Sequence, residues 1–250
     1  MKWRLADPIC FSETGKRKNN QDSLYPTAEF TTRIDGLYMV CDGMGGASNG
    51  EVASKLACKC LSDWFSSNPA MAVDEQQMNE AFTYMRHRFN EHIVYHPDAM
   101  DMGTTMVLAK VHENGISVAH CGDSRFYHFR KNSCLFKTFD HTPVNDLIRN
   151  GIIKQEDAST YPRSNSISRA IQASPHKLCL ADVAQLTNIE PWDILMLCSD
   201  GVWSCFTTKE LIELFSSPML LEEKAEIIKN ICEANSKDNY TAILLNVLPK

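Results

Sequence analysis

The sequence predicts an α+β fold in which antiparallel β-sheets are covered by helices. Two stretches carry the apolar spacing of long helices, and short β-rich runs flank them instead of alternating with them one to one. A doubly wound parallel sheet requires that strict alternation, so antiparallel sheets are favoured. The 250 residues, 44% of them hydrophobic, suffice for a full apolar core, and no linker or repeat divides them. We therefore expect a single domain over residues 1–250.

The first half of the chain contains a strand, a pair of helices and a group of short strands. Residues 36–41 form an apolar run that ends in a glycine-rich turn, which indicates a buried strand. Apolar residues then recur at helical spacing over 52–65 and 78–93, and we expect these two helices to pair. Residues 104–139 alternate β-rich runs with turn residues, which predicts an antiparallel meander. The runs cover residues 105–111, 116–120 and 125–129.

A polar excursion precedes the last strands and helices. Residues 140–176 are polar and are predicted to cross over the sheet. Thr207 and Glu210 have the spacing of a capping box, and a further amphipathic helix covers 220–234. Weak helical signals within the excursion cover 144–150 and 155–159. The remaining strand-like runs cover 178–186, 192–198 and 241–248.

Charge and cysteine content exclude several classes of protein. Lys and Arg number 25 and Asp and Glu 31, so the net charge of −6 argues against a nucleic-acid-binding face. The ten cysteines contain no C-x-x-C pair, and we expect reduced, mostly buried thiols. No apolar run approaches the ~18–20 residues that cross a bilayer, and the first residues lack the apolar segment of a signal peptide. The sequence predicts a cytoplasmic enzyme or binding protein without nucleic-acid or membrane partners.

Three aspartates stand where predicted strands meet turns. Asp42, Asp200 and Asp238 each lie close to the end or the beginning of such a strand. Because a carboxylate is costly to bury alone, several that converge at one end of a sheet indicate a cation between them. Oxygen ligands without His or Cys favour Mg²⁺ or Mn²⁺. Ordinary Asx turns are the alternative interpretation of each single aspartate.

The glycine turn that follows Asp42 does not fit a dinucleotide-binding loop. A fingerprint that starts at Gly43 would need glycine at position 48, where Ser48 stands, and the charge of Asp42 would repel a pyrophosphate. Arg17, in a basic cluster before Asp22, has two interpretations. It is either part of a solvated turn or a guanidinium that binds two phosphate oxygens at once.

Three histidines are weaker candidates. His92 and His96 share one helix face, but no third metal ligand accompanies them, so a solvated face is favoured over a metal site. His141 lies at the start of the polar excursion, where an ordinary loop histidine is favoured over a substrate contact.

Six short motifs together carry a resemblance to a known family. They are Gly15-x-Arg17-x-x-Asn20-x-Asp22, Val40-Cys41-Asp42-Gly43-Met44-Gly45-Gly46, Gly103-Thr104-Thr105, Gly122-Asp123-Ser124-Arg125, Ser199-Asp200-Gly201-Val202-Trp203 and Asp238-Asn239-Tyr240-Thr241. Each motif is weak alone, but six in register are specific. Over about residues 12–245 the chain resembles the metal-dependent protein serine/threonine phosphatases of type 2C. Segments 140–142 and 161–170 are most similar to the compact bacterial branch.

The resemblance implies a four-layer α/β/β/α sandwich, in which helix pairs flank two antiparallel sheets and a flap covers about residues 140–176. It implies two Mn²⁺ or Mg²⁺ ions and a third, weaker one. A hydroxide that bridges the two ions would attack the phosphorus of phosphoserine or phosphothreonine. By motif position, Asp42 would bridge both ions, and the Gly43 carbonyl would bind one of them. Asp200 and Asp238 would complete the other ion, and Asp123 would hold the third. Arg17 would bind phosphate, and Asp22 would orient water at the metals.

Three positions depart from the family pattern. Gln21 stands where many relatives carry Glu, which removes one charge from the outer part of the site. Met44 replaces a histidine that is often proposed as general acid, so water or another group must protonate the leaving alkoxide. Ile171-Gln172 replaces Leu-Gly after the flap, which leaves the hinge undefined.

The expected partners are phosphorylated proteins, among them a bacterial Ser/Thr kinase and its targets, and the chain is expected to act as a monomer. Two other functions compete with this prediction. A pseudophosphatase would bind phosphoproteins without turnover, but it should lack metal-binding acids, and Asp42, Asp200 and Asp238 are all present. A hydrolase of small phosphate esters would share the same ligands and differ only at the rim.

Overall fold

A computed structural model describes residues 2–27, 36–45, 49–68, 73–154, 156–157, 161, 166–172 and 180–250. The two ends of the chain lie in one antiparallel sheet of six strands, ordered β1-β13-β12-β8-β9, with β2 also paired to β13. These strands are β1 (Trp3–Leu5), β2 (Ile9–Glu13), β8 (Arg125–Arg130), β9 (Ser133–Lys137), β12 (Ile194–Cys198) and β13 (Tyr240–Pro249).

The second antiparallel sheet has seven strands and contains the predicted strand that leads to Asp42. Its order is β10-β5-β4-β6-β7-β11, with β3 also paired to β4. The strands are β3 (Asp22–Tyr25), β4 (Leu37–Met44), β5 (Gly103–Thr104), β6 (Met106–His112), β7 (Gly115–Cys121), β10 (Ile171–Gln172) and β11 (Asp182–Leu186).

Helices cover the outer face of each sheet. The helices are α1 (Asn49–Ser67), α2 (Glu75–Tyr95), α3 (Pro143–Arg149), α4 (Asp200–Trp203), α5 (Thr208–Ser216) and α6 (Leu221–Asn235), with a short 3₁₀ turn at Pro97–Ala99. Helices α1 and α2 pack on the seven-stranded sheet, and α4 to α6 pack on the six-stranded sheet. The predicted capping box at Thr207 and Glu210 is confirmed, since each side chain bonds the other residue's main chain.

The four layers follow from the alternation of side chains along the central strands. In β4, Met39 and Cys41 face α1 and α2, whereas Val40 faces the other sheet. In β12, Leu197 points to the same central layer, and Cys198 points to α4 to α6. Successive strand residues face opposite sides of a sheet, and complete burial of such a side chain contributes about 1.5–3 kcal/mol. The α/β/β/α sandwich is thereby confirmed.

The structure corrects several details. The antiparallel strands predicted over 104–139 are confirmed, but they do not form one meander, because β7 ends in one sheet and the turn at Gly122 leads to β8 in the other. Sequence reasoning missed the strands β1 to β3. Cys10 is exposed, unlike most of the described cysteines. Residues 155 and 158–159 of the predicted helical signal lie outside the described residues, as does much of the flap, so the single domain with a flap over 140–176 stays a prediction. Within the described residues, no helix is long and apolar enough to cross a membrane.

Candidate active site

The main chain of Asp42 is held on both sides by two threonines. The Asp42 amide donates to Thr105 Oγ1 at 3.1 Å. The Asp42 carbonyl accepts from the Thr105 amide at 2.8 Å and from Thr104 Oγ1 at 2.9 Å. Thr105 Oγ1 also contacts Ser124 Oγ at 2.6 Å, which ties β4 to the turn that carries Asp123. The Gly103-Thr104-Thr105 motif therefore fixes the end of the strand where Asp42 projects.

Asp22 lies directly opposite Asp42 in the register of β3 and β4. Its side chain is buried, and Ser199 Oγ donates to its Oδ2 at 2.7 Å. The same hydroxyl oxygen accepts from the Thr241 amide at 3.1 Å, so both sheets meet at this carboxylate. Burial is the largest cause that raises the pKa of Asp22 to about 7, and the charges of Asp200 and Asp238 act in the same direction.

Asp42 and Asp200 complete a cluster of carboxylates at the end of the central strands. Burial raises the pKa of Asp42 well above its usual range, and the charges of Asp22 and Asp200 add to this shift. Burial and then the charge of Asp238 raise the pKa of Asp200. The Oδ1 atom of Asp200 is buried, and no hydrogen-bond partner for it exists within the described part of the chain. Like charges that share a site destabilise one another unless a cation compensates them.

The unpartnered oxygen of Asp200 is the observation that makes the cluster fit divalent cations. An orphaned, buried carboxylate oxygen among further carboxylates is the environment that a hard cation with oxygen ligands satisfies. Asp238 lies nearer to solvent, with a side chain 37% exposed. Gly43 follows Asp42 directly in β4, and the Gly43 amide donates to the Gln21 carbonyl at 3.1 Å. The assignment of individual ligand roles to these residues stays a prediction.

Asp123 stands at one side of the cluster, where the chain passes between the sheets. Its side chain is buried, and burial followed by the charge of Asp200 raises its pKa to about 7. Trp203 Nε1 donates to the Asp123 carbonyl at 2.8 Å. The guanidinium of Arg125 stacks 3.5 Å from the Trp203 ring centroid and pairs with both carboxylate oxygens of Asp140, at 2.9 and 2.7 Å. These contacts join the Asp123 turn to the root of the predicted flap.

Arg17 lies at the mouth of the site. Its Nη2 atom pairs with Asp238 Oδ2 at 2.5 Å, although the Arg17 side chain is 56% exposed. The hydrogen bond and the charge of Asp238 raise the pKa of Arg17, so the guanidinium is a permanent cation beside the carboxylates. The solvated-turn alternative is therefore incomplete, because this exposed arginine is directed at one of the predicted ligands.

A second cluster of ligand-type side chains, His120, His141 and Asp182, lies near the flap, with ligand atoms within 4.8 Å of one another. The Gly122 amide donates to His141 Nδ1 at 3.1 Å, so His141 Nε2 carries the proton and faces Asp182 Oδ1 at 3.2 Å. Burial and the adjacent His120 lower the pKa of His141 to about 4. His120 Nε2 donates to a backbone carbonyl at 3.0 Å. These partners occupy both ring nitrogens of His141 and Nε2 of His120.

His141 lies in a loop, as predicted, but the structure adds a buried network around it. Its ring is fully buried and stacks on His120, with the centroids 4.7 Å apart. Arg149 Nη2 and Arg169 Nη1 donate to Asp182 at 2.7 and 3.0 Å, so this carboxylate also anchors both described ends of the flap. Sequence reasoning missed this network because the spacing of its members along the chain carries no motif.

A family model described as protein phosphatase 2C matches residues 14–240. The chain belongs to the protein phosphatase 2C family. The serine/threonine phosphatase stp of Listeria welshimeri is 34% identical over 222 residues, which cover 84% of this chain and 83% of that relative. The phosphatase prediction is thus confirmed, and no comparison supports a pseudophosphatase.

Solved structures agree with this family. The serine/threonine phosphatase PstP/Ppp of Mycobacterium tuberculosis is 25% identical and has a TM-score of 0.82, with 99% of this chain and 100% of that chain covered. The catalytic domain of the serine/threonine protein phosphatase PstP, solved with two manganese ions, is 26% identical with a TM-score of 0.77, and 98% of this chain and 99% of that chain are covered. The members of this family are metal-dependent enzymes, which agrees with the carboxylate cluster.

Proposed function

We propose that the chain hydrolyses phosphoserine and phosphothreonine on proteins with two divalent cations held by Asp42, Asp200 and Asp238. The observation that carries this proposal is the buried carboxylate cluster, in which Asp200 Oδ1 has no partner among the described residues and burial raises the pKa of Asp42. Such an arrangement destabilises the protein by itself, so a functional cation is its simplest physical explanation.

Asp42 would contact both cations, the Gly43 carbonyl would add an oxygen to one, and Asp200 and Asp238 would complete the other. When bound, a pair of divalent cations lowers the pKa of water and neutralises phosphoryl charge. We assign Mn²⁺ or Mg²⁺ because the donor set contains only oxygen. Asp123 would hold a third, weaker cation, since its buried carboxylate lies beside the same cluster.

Arg17 would bind the phosphoryl group of the substrate. A guanidinium can donate two parallel hydrogen bonds to phosphate oxygens, and its contact with Asp238 already places it at the mouth. Held there, it would orient the phosphorus and stabilise charge on the oxygens in the transition state. Asp22 would orient water at the cations, since its carboxylate can accept a hydrogen bond from that water.

The substrates would be phosphorylated proteins, in keeping with the names of the relatives. The kinase partner, the monomeric state and the cytoplasmic location stay predictions from the sequence. Met44 has no proton to donate, so we expect solvent water to protonate the leaving alkoxide.

A phosphatase assay with Mn²⁺ tests the proposal. Phosphate release from a phosphothreonine peptide should disappear with EDTA and in the variants Asp42→Ala and Asp238→Asn. Asp63→Asn is a matched control, because Asp63 is an exposed aspartate on α1 that pairs only with Lys59 in the described contacts. Activity that survives EDTA and both variants would refute the two-cation mechanism.

Two additional measurements separate the competing functions. A strong preference for nucleotides or sugar phosphates over phosphopeptides would replace the proposed substrate class with small esters. Calorimetry that detects tight phosphopeptide binding without phosphate release over hours would instead favour a binding module.

A further inference from the structure

The side chain of Asn239 bridges two loops beside the carboxylate cluster. Its Nδ2 atom donates to the carbonyl oxygens of Thr14 at 2.8 Å and Asn19 at 2.9 Å. Its Oδ1 atom accepts from the Gln21 amide at 2.9 Å. Only 4% of Asn239 is exposed, so these groups have little access to water. The buried side-chain amide of Asn239 therefore donates two hydrogen bonds to residues 14–21 and accepts one from them.

Arg17 lies in the middle of that segment. Residues 16–19 are exposed, whereas the bonds to Asn239 hold the segment at Thr14, at Asn19 and at Gln21. A long, exposed side chain keeps a defined place only if its backbone is fixed, because each free rotamer costs entropy on binding. The three bonds from Asn239 contribute to that fixation on both sides of Arg17. Lys16 Nζ, which donates to the Ala234 carbonyl at 2.7 Å, and Asn20 Nδ2, which donates to Ser12 Oγ at 2.9 Å, add to it.

The turn that carries Asn239 is packed tightly on both sides. Gly15 has a φ of +56°, and a Cβ atom there would lie 2.7 Å from the Asp238 carbonyl oxygen. A Cβ atom on Gly201 would clash with the Asn239 carbonyl oxygen. The Asp238–Asn239 turn thus lies between the segment that carries Arg17 and the start of α4, where Asp200 stands.

We propose that Asn239 is a positioning residue that sets the place of Arg17 relative to Asp200 and Asp238, and through it the binding of the phosphoryl group. This inference rests on the proposed role of Arg17 in the phosphatase reaction. Alanine at 239 would remove the three hydrogen bonds to Thr14, Asn19 and Gln21, and the Thr14 carbonyl would keep only its longer contact with the Arg17 amide at 3.3 Å. The segment would shift to recover hydrogen bonds to water, and Arg17 would move with it.

Two other roles of Asn239 make different predictions. A residue that only stabilises the fold would lower the melting temperature without a specific effect on phosphate binding. A residue that acts through its neighbour Asp238 would change the affinity for the cation. A positioning role through Arg17 is defined by its dependence on Arg17, which a double-mutant cycle measures.

The experiment compares wild type, Asn239→Ala, Arg17→Ala and the double variant at saturating Mn²⁺ with a phosphothreonine peptide. We expect Asn239→Ala to lower kcat/KM by about tenfold to 100-fold, the range that small misplacements of positioning groups produce. The Ki of inorganic phosphate should rise in parallel with KM. In the Arg17→Ala background the same substitution should change kcat/KM by less than about threefold, because the group it positions is gone.

An isosteric variant and a remote control complete the design. Asn239→Asp keeps the acceptor for the Gln21 amide but replaces the donor nitrogen with an oxygen that faces two carbonyls, so it should weaken phosphate binding at least as much as alanine does. Gln185→Ala removes another bridging amide, between Ser117 Oγ and the Val73 carbonyl, and should leave kcat/KM within about twofold.

Calorimetry gives readouts that do not depend on turnover. Affinity for Mn²⁺ should stay within about threefold of wild type in Asn239→Ala, whereas affinity for inorganic phosphate should fall by at least about tenfold. Equal losses in the wild-type and Arg17→Ala backgrounds would overturn the proposal, and so would a Mn²⁺ affinity reduced more than its phosphate affinity. Failure of both Asn239 variants to fold would also overturn it. Mn²⁺-independent activity in wild type would instead refute the proposed phosphatase mechanism.

Discussion

Substitution of Asp42 by Asn should stabilise the protein without metal while it abolishes the response to metal. The physical reason is the cost of a buried carboxylate among other carboxylates, which raises the pKa of Asp42 well above its usual range. Asparagine has nearly the same shape, carries no charge, and can donate a hydrogen bond to Asp200. The substitution therefore removes the free-energy cost of the buried carboxylate, and it also removes the proposed central ligand of the cations.

Asp22 provides the scale of this effect. Its pKa of about 7 lies about three units above the ordinary value of 3.8, and each unit corresponds to about 1.4 kcal/mol. The cost of ionising such a group at about pH 8 is thus about 4 kcal/mol, of which part is relieved by local relaxation. For Asp42→Asn we expect a gain of about 2 kcal/mol, or a melting temperature higher by roughly 4–8 °C.

Thermal unfolding in EDTA and in Mn²⁺ measures both parts of the prediction. A ligand at 100 times its Kd stabilises a protein by about 2.7 kcal/mol, so saturating Mn²⁺ should raise the melting temperature of wild type and leave Asp42→Asn unchanged. A carboxyl group with a raised pKa destabilises the fold only where the unfolded chain would ionise it, so the gain should shrink as the pH falls toward the ordinary pKa of 3.8 and vanish below it. Asp63→Asn should match wild type throughout. A lower melting temperature for metal-free Asp42→Asn at about pH 8, or its full stabilisation by Mn²⁺, would refute the reasoning.

Three other predictions concern pH, the flap and the remote core. Because burial raises the pKa of Asp22 and Asp123 from 3.8 to about 7, metal-free protein should lose stability as the pH rises from about 4 to 7 and change little above that, and Mn²⁺ should remove this loss in a series of melting curves. Asp182→Ala leaves two flap arginines without their shared acceptor, so kcat/KM should fall about tenfold or less for phosphopeptides and remain nearly unchanged for p-nitrophenyl phosphate. Asp193→Asn removes the buried carboxylate that pairs with Arg130 and His128, so the free energy of unfolding measured by chemical denaturation should fall by about 3–5 kcal/mol while kcat/KM is retained.

The fold was predictable where the pattern of apolar residues decides the structure. The helices α1 and α2 and the strands β4, β12 and β13 carry clear periodicity, since each buries one or both faces. The strands β1 to β3 were missed because they have only three to five residues each, too few to show a period, and their stability comes from pairing with β13 and β4. The crossing between the sheets at Gly122 was also missed, because a tight turn does not reveal which strand it leads to.

The residues of the site could be predicted from the sequence, but the hydrogen bonds that hold them in place could not. Strand ends followed by Asp marked Asp42 and Asp200, and the structure brings both into one charged cluster. The supporting hydrogen bonds from Ser199, Thr105 and Asn239 join segments more than 40 residues apart. Such contacts form only in the complete fold. Ser, Thr and Asn are also common in ordinary turns, so their presence in the sequence does not indicate these contacts.

The most direct test of the proposed centre is a crystal structure of the protein grown with Mn²⁺, with anomalous difference density measured at the manganese absorption edge. Our account predicts two strong peaks in contact with Asp42, one shared with the Gly43 carbonyl and the other with Asp200 and Asp238. Empty density at Asp42, or manganese bound only elsewhere, such as at His120, His141 and Asp182, would contradict it.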